Sequence, residues 1–380
     1  MSQAVELLSE LVRRPSQNPM GRPISEPDYY ESAVTDFLEG LFRSWGVRYE
    51  RQPVTARRDN IVAYLPGSAS QPTYVWEAHQ DTVPALGMTV EPFAAHIENG
   101  RLYGRGACDV KGGLAAMLAA FHQLLNEPIE RRCSIILACI VDEEYTFTGI
   151  RAFTSQPIRA EGAIVAEPTQ LRIITAHKGI VRWRIHTHGR SCHSSQPEAG
   201  VNAIYRMARV VSAIENYAAW LSSHRRHNTL GPATLSVGRI EGGISANIVP
   251  ERCTIELDRR ILPDEDVESV PDELAGYLLQ HLGPESWDQE KPWMVLPPLD
   301  AEGKDKLVAR LRQAAEQVIG WAETGSVAYG TDASTLQAAG IPCVVFGPGD
   351  IAQAHTADEW IELRQVEQAA DILYRFALIR

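Results

Sequence analysis

The chain has 380 residues, 44% of them hydrophobic and 22% charged, with a formal net charge of −12. That length is too great for one ordinary hydrophobic core, so two domains, or one large domain carrying an insertion, are expected. The acidity disfavours nucleic acid and anionic membrane surfaces as partners, and no apolar run approaches the roughly 20 residues that span a bilayer.

Six cysteines (Cys108, Cys133, Cys139, Cys192, Cys253 and Cys343) occur without a C-x-x-C pair, several inside apolar runs such as Cys133-Ser-Ile-Ile-Leu-Ala-Cys139. This usage predicts reduced, buried thiols in a cytoplasmic protein rather than a disulfide framework. The N-terminus, Met-Ser-Gln-Ala-Val-Glu-Leu-Leu, is acidic and amphipathic and shows no signal peptide.

In chain order, Ala4, Val5, Leu7, Leu8, Leu11 and Val12 fall on one helical face, and Pro15 stops that helix. Val34, Phe37, Leu38, Leu41, Phe42 and Trp45 repeat at helical spacing before Gly46, a stop signal. Short apolar strands follow at 61–65, 74–78, 134–141 and 163–166, with a helix from Gly112-Gly113 to about Leu125 between the second and third. Strands alternating with helices predict an α/β fold: a mostly parallel central sheet with helices on both faces.

From about Lys178 the pattern changes. Residues 180–187 alternate, a helix runs from 201 to about 221, and 234–239 and 253–257 read as half-buried strands. A second helix follows the start signal Pro263-Asp264. Two helices on one face of a small antiparallel sheet make an α+β unit. Residues 291–299 then lead back to a helix over 304–319, a strand over 343–346 and a final helix from Glu362. The first domain is therefore expected over 1–178 and 292–380, with 179–291 inserted.

Acids and histidines close the apolar strands of the first domain. The segment Trp76-Glu-Ala-His-Gln-Asp-Thr-Val-Pro84 puts His79 and Asp81 two apart, on one side of an extended chain. That suits an imidazole ligand and the carboxylate that supports it. In Tyr103-Gly-Arg-Gly-Ala-Cys-Asp-Val-Lys-Gly-Gly113, four glycines surround Asp109 in a spacing that is neither a dinucleotide fingerprint nor a P-loop. Glycines around one carboxylate suggest a tight turn that lets it reach two ions at once. After the most apolar strand, Glu143 and Glu144 offer one carboxylate for metal and a neighbour to take a water's proton. Glu167 and His355 complete the set. Two imidazoles with several carboxylates at one sheet edge suit a pair of borderline divalent cations such as zinc.

This ordered set resembles the zinc-dependent deacylase and carboxypeptidase family that includes aminoacylase, acetylornithine deacetylase, succinyl-diaminopimelate desuccinylase and glutamate carboxypeptidase. The resemblance runs through Arg58-Asp-Asn-Ile-Val-Ala63, HQDTVP, GRGACDVKGG, DEE and AEPT. It continues through Gly189-Arg-Ser-Cys-His193, Asn247-Ile-Val-Pro250, Gly330-Thr-Asp-Ala333, Gly347-Pro-Gly349 and His355-Thr-Ala-Asp-Glu359. It implies a zinc-peptidase-like fold with an inserted lid that forms a homodimer, and two Zn2+ for which Co2+ substitutes. The resemblance further implies that Asp109 bridges the ions, that His79 and Glu167 complete one, and that Glu144 and His355 complete the other. By position, Glu143 falls where the family has its general base and Asp81 where it has the orienting carboxylate. His193 is implied to be an oxyanion-stabilising donor that reaches the partner subunit's site. Asn247 and Arg260 meet the substrate, Arg260 by clamping a free α-carboxylate, and Gly347 and Gly349 offer backbone N–H groups to the same anion. The peptide bond after Asp109 is implied to be cis, and Glu at 167 points to the deacylase and carboxypeptidase branch.

The implied reaction is hydrolysis of the amide of an N-acyl amino acid, acetylornithine deacetylase-like or succinyl-diaminopimelate desuccinylase-like. A dipeptidase or carboxypeptidase of the same family is the alternative. A cysteine hydrolase built on Cys192-His193 is disfavoured, because strand neighbours point to opposite faces, and no G-x-S-x-G or H-E-x-x-H occurs. The rival of another class, a non-catalytic carboxylate-binding or scaffold protein, would be marked by loss of Glu143 or a ligand, and none is lost.

Overall fold

The computed structural model describes residues 1–283 and 287–379. The chain forms two compact units: Met1–Thr175 with Ala301–Gly325 and Thr331–Arg380, and Ala176–Asp300 with Ser326–Gly330. The return from the insertion thus lies near 300 rather than at 291. Strand Met294–Leu296 pairs antiparallel with Gly179–His188, which keeps the Pro- and Trp-rich stretch in the second unit. Ser326 joins it by donating to the Thr229 carbonyl at 3.0 Å.

The first unit is built on an eight-stranded sheet in the order Arg48–Thr55, Arg58–Leu65, Ser134–Ile140, Thr73–His79, Gly162–Val165, Cys343–Val345, Ile173–His177 and Thr324–Val327. The four central strands, from Ser134–Ile140 to Cys343–Val345, are parallel. The strands flanking them run antiparallel. SIILACI, GAIV and CVV are unbroken apolar runs, as strands covered on both faces require.

Two sets of helices pack on this sheet. Gln3–Val12, Gly112–Leu124, Asp305–Ile319 and Leu363–Leu378 touch one another in one set, and Thr148–Thr154 touches Ala333–Ala338 in the other. Gly112–Leu124 is buried almost all round, which its sequence GGLAAMLAAFHQL anticipates. Edge strand Arg48–Thr55 escapes the sequence reading because RYERQPVT has almost no apolar residue. Its charges are the usual protection of a sheet edge against pairing with another chain.

Because the central strands are parallel, their carboxyl ends share one edge, the usual place for a site in open α/β sheets. His79 closes Thr73–His79, while Glu143, Glu167 and the loop toward His355 follow the other three strands.

The second unit carries an antiparallel sheet in the order Thr234–Gly242, Arg252–Ile261, Gly179–His188 and Trp287–Gln289. Helices Ala203–His224 and Val270–Leu282 cover one of its faces through Met207, Val210, Ile214, Leu274 and Leu278, against Trp183, Ile185, Ile255 and Leu257. This is the expected α+β architecture. The second helix begins later than Pro263-Asp264 suggests, because Glu265 turns back to accept the Leu262 N–H at 2.8 Å.

Candidate metal centre

His79 is 2% exposed, and its two ring nitrogens have different partners. Nδ1 lies 2.9 Å from the backbone carbonyl of Asp81. A carbonyl can only accept, so Nδ1 carries a proton, and Nε2 faces Asp109 Oδ1 at 3.2 Å. The support expected of Asp81 thus comes first through its main chain. Its carboxylate stands 3.7 Å from Nδ1 and instead accepts the backbone N–H groups of Glu143 and Glu144, each at 3.2 Å. Asp81 orients the imidazole through its main chain and the acidic turn through its side chain.

Asp109 lies in the glycine-rich loop, and the Asp109–Val110 peptide bond is cis, as the resemblance implies. Its second oxygen, Oδ2, is 3.3 Å from His355 Nε2, which also lies 3.2 Å from Glu144 Oε2. Ligand-type atoms of His79, Asp109 and Glu167 fall within 4.8 Å of one another, as do those of Asp109, Glu144 and His355. One carboxylate is thus shared by two groups of side chains that could each hold an ion. Val83 N–H holds the other Glu144 oxygen, Oε1, at 3.2 Å.

The electrostatics ask for positive charge there. Burial, reinforced by Glu167, pushes Glu143 well above the usual carboxylate range. Burial, reinforced by Asp109, raises Glu144 and pushes Glu167 well above that range. Imidazole nitrogens and carboxylate oxygens of this kind suit borderline divalent ions, which would supply the missing charge. The residues fit a metal pair.

Sequence reasoning missed several members of the site. Glu77 and Asp332 are each 1% exposed, and burial raises both, Asp332 to about 8. Glu77 was findable, since it stands two before His79 on the same strand face. Asn18 Nδ2 donates to Asp81 Oδ2 at 2.8 Å and to Asp142 Oδ1 at 2.9 Å. Asp142 is further held by Arg58, Thr146 and Thr148, so the turn bearing Glu143 and Glu144 is pinned from several sides. No pattern around Asn18 signals this role.

In the second unit, His193 is exposed, and its Nδ1 accepts the Ser195 N–H at 3.1 Å, which leaves the proton on Nε2. The Asn247 carbonyl accepts the Ser194 N–H at 3.0 Å, tying Asn247 to the same loop. Cys192 Sγ turns to the Gln196 carbonyl at 3.3 Å and forms no dyad with His193. Arg259 is 1% exposed and ion-paired to Glu265 on the helix-covered face. Arg260, its strand neighbour, lies on the opposite face, held by Asp258 at 2.7 Å.

The expectation for Gly347 and Gly349 is corrected. Gly347 N–H donates to Thr169 Oγ1 at 3.1 Å and Gly349 N–H to Gln365 Oε1 at 2.9 Å, so neither is left for an anion. Both positions require glycine for space. A Cβ at Gly347 would sit 2.6 Å from the Glu167 carbonyl oxygen, and Gly349 has φ +94°.

The profile of peptidase family M20/M25/M40 matches residues 75–379. The acetylornithine deacetylase of Erwinia tasmaniensis is 30% identical over 376 residues, covering 97% of this chain and 95% of that protein. That of Klebsiella pneumoniae is 31% identical over 382 residues, with 97% and 95% covered. Among solved structures, the M20 family metallo-carboxypeptidase Sso-CP2 of Sulfolobus solfataricus superposes with a TM-score of 0.80 at 20% identity, covering 99% of each chain. The YXEP protein of Bacillus subtilis, a dinuclear metal binding peptidase from the M20 family, does so with a TM-score of 0.69 at 16% identity over 99% of this chain and 96% of that one.

Proposed function

The chain belongs to peptidase family M20/M25/M40 and is a metal-binding enzyme of amide bonds, and from that premise we propose that it deacylates N-acyl amino acids with two zinc ions. The observation that carries this reading is Asp109, whose two oxygens each face a histidine of a separate cluster. The deacetylase relatives, similar over nearly the whole chain, favour an acyl amino acid over a dipeptide.

The proposed ligands are His79, Asp109 and Glu167 for one ion, and Asp109, Glu144 and His355 for the other. When bound, the ions supply Lewis-acid polarisation of the scissile carbonyl and acidify the attacking water. Glu143 takes that water's proton and returns it to the leaving amine, a role open to a carboxylate that stands beside the two clusters and belongs to neither. Asp81 aims Glu143 by holding its backbone N–H. His193 offers Nε2–H to the developing oxyanion, and its locked tautomer supports that role. Arg260 pairs with the substrate's α-carboxylate in two-point geometry. The second unit is proposed as a lid through which the protein forms a homodimer, with His193 serving the partner subunit's site. Six free thiols, five of them buried, support a cytoplasmic setting. Among the described residues no helix is long and apolar enough to cross a membrane.

The test is turnover of zinc-loaded and cobalt-loaded protein on acetylornithine, succinyl-diaminopimelate, simple N-acetyl amino acids and dipeptides. Release of the free amino acid from an N-acyl substrate is expected. Turnover confined to dipeptides would replace deacylation by dipeptidase activity.

A further inference from the structure

Glu359 belongs to neither cluster, yet it is 1% exposed and follows His355 by four residues. Its Oε1 accepts the backbone N–H groups of Cys108 at 2.9 Å and Asp109 at 3.0 Å. Its Oε2 accepts the Gly106 N–H at 2.9 Å and Arg105 Nη1 at 2.7 Å. Three main-chain N–H groups of one loop thus converge on a single carboxylate, a cradle that suits an anion. Ionised acceptors make the stronger class of hydrogen bond. The cradle depends on a left-handed residue at 106: Gly106 has φ +79°, and a Cβ there would lie 2.4 Å from Thr82 Cγ2.

The same contacts join two distant segments. Gly104 N–H donates to the Glu359 carbonyl at 3.0 Å, and Arg105 Nη2 donates to the Thr356 carbonyl at 3.3 Å. Beyond them, strand Trp360–Glu362 pairs with Arg101–Tyr103. The segment carrying His355 and the loop carrying Asp109 are thereby locked in register, and the last link before the metal cluster is the bond from Glu359 to the Asp109 N–H. Asp109 has to present each oxygen to a different imidazole, so a small rotation of its backbone would misplace both.

We propose that Glu359 is a positioning residue of the metal centre, which sets the orientation of Asp109 through the loop's main chain and couples it to His355. The proposal rests on the reading of Asp109 as the shared ligand. Glu359→Gln puts an NH2 donor against N–H donors, leaving part of the cradle without an acceptor. In folded protein, affinity for Zn2+ and Co2+, measured by competition with a chelating dye, is expected to fall about 10–100-fold. The absorption spectrum of the cobalt-loaded protein should change with it. Glu359→Asp keeps the charge but withdraws it, so its affinity should fall between the two and supplies the measurement if the glutamine variant is insoluble. Arg105→Met leaves the three N–H bonds intact but removes one partner of Glu359 and the tie to Thr356, so its loss of metal affinity should be smaller than that of Glu359→Gln.

Wild-type metal affinity and cobalt spectrum in Glu359→Gln or Glu359→Asp, with only stability lost, would overturn the proposal. Asp109→Asn separates this from failure of the underlying reading. If Asp109→Asn loses metal while the Glu359 variants keep it, only the role of Glu359 falls. If Asp109→Asn binds metal like wild type, the assignment of Asp109 itself is wrong.

Discussion

The two units hold their functional side chains in different ways. In the first, several acids of the site are oriented by partners far away in sequence, although His79 is held by the nearby Asp81 carbonyl. Asp81 secures Glu143 and Glu144, Asn18 secures Asp81 and Asp142, and Glu359 secures Asp109. In the second, the holding bonds are local: Ser195 to His193, Asp258 to Arg260, Ser245 to Asn247. The first group is buried, apart from half-buried Glu144 and exposed His355, and the second is exposed or half-buried. Charges that must face one another at close range need fixed geometry, whereas groups that meet a substrate from solvent can be held loosely. Truncation in the first unit should therefore cost chemistry outright, and truncation in the second should cost binding or a single contact.

Metal removal should break the contrast most completely. Chelation is expected to abolish activity, and elemental analysis of reconstituted protein should find close to two zinc or cobalt ions per chain. Full activity with one ion would remove the reason for two clusters sharing Asp109.

Glu143→Ala comes next. It should fold and bind metal normally while losing about 10²–10⁴-fold in kcat. A variant that instead lost metal and kept partial turnover would exchange the roles of Glu143 and Glu144.

The arginine pair tests the second unit against itself. Arg259→Ala leaves buried Glu265 with the Leu262 N–H and only a long Arg225 contact at 3.9 Å, and should destabilise the fold by up to about 3–5 kcal/mol, read by chemical denaturation. Arg260→Ala should leave stability nearly unchanged and lower kcat/KM for substrates with a free α-carboxylate, with no effect on their amidated counterparts. Equal losses on both substrates would remove the carboxylate clamp from the proposal.

The smallest effect is expected for Ser195→Ala. It deletes the hydroxyl beside His193 but keeps the backbone N–H that fixes the tautomer. His193→Ala, by contrast, should inactivate, and mixing it with Glu143→Ala chains should restore activity by subunit exchange. Activity that stayed absent in the mixture would argue for a site completed within one chain.

Much of this molecule is legible in one dimension. The helix over Gln3–Val12 and the apolar strands ending at His79, Ile140 and Val165 follow from local periodicity, and so does the change to alternation after Lys178. All five proposed ligands come together in the structure: His79, Glu144 and Glu167 stand at or just beyond strands whose carboxyl ends share one edge, and loops bring Asp109 and His355 to them. The misses share a cause. Strand Arg48–Thr55 forms at a charged edge with no apolar signal, and Gly347 and Gly349 have their N–H groups taken by Thr169 and Gln365.

By itself the sequence determined the order of elements, the insertion of an α+β unit into an α/β one, and which side chains stand ready for metal. These depend on neighbours a few residues away. Only the tertiary structure decided that Asp81 supports His79 through a carbonyl and Glu143 through a carboxylate, that Asn18 ties two acids together, and that Glu359 fixes the Asp109 loop. A buried hydrogen bond is chosen by proximity in space and by the cost of leaving a polar group unpaired, and neither is encoded by any local pattern.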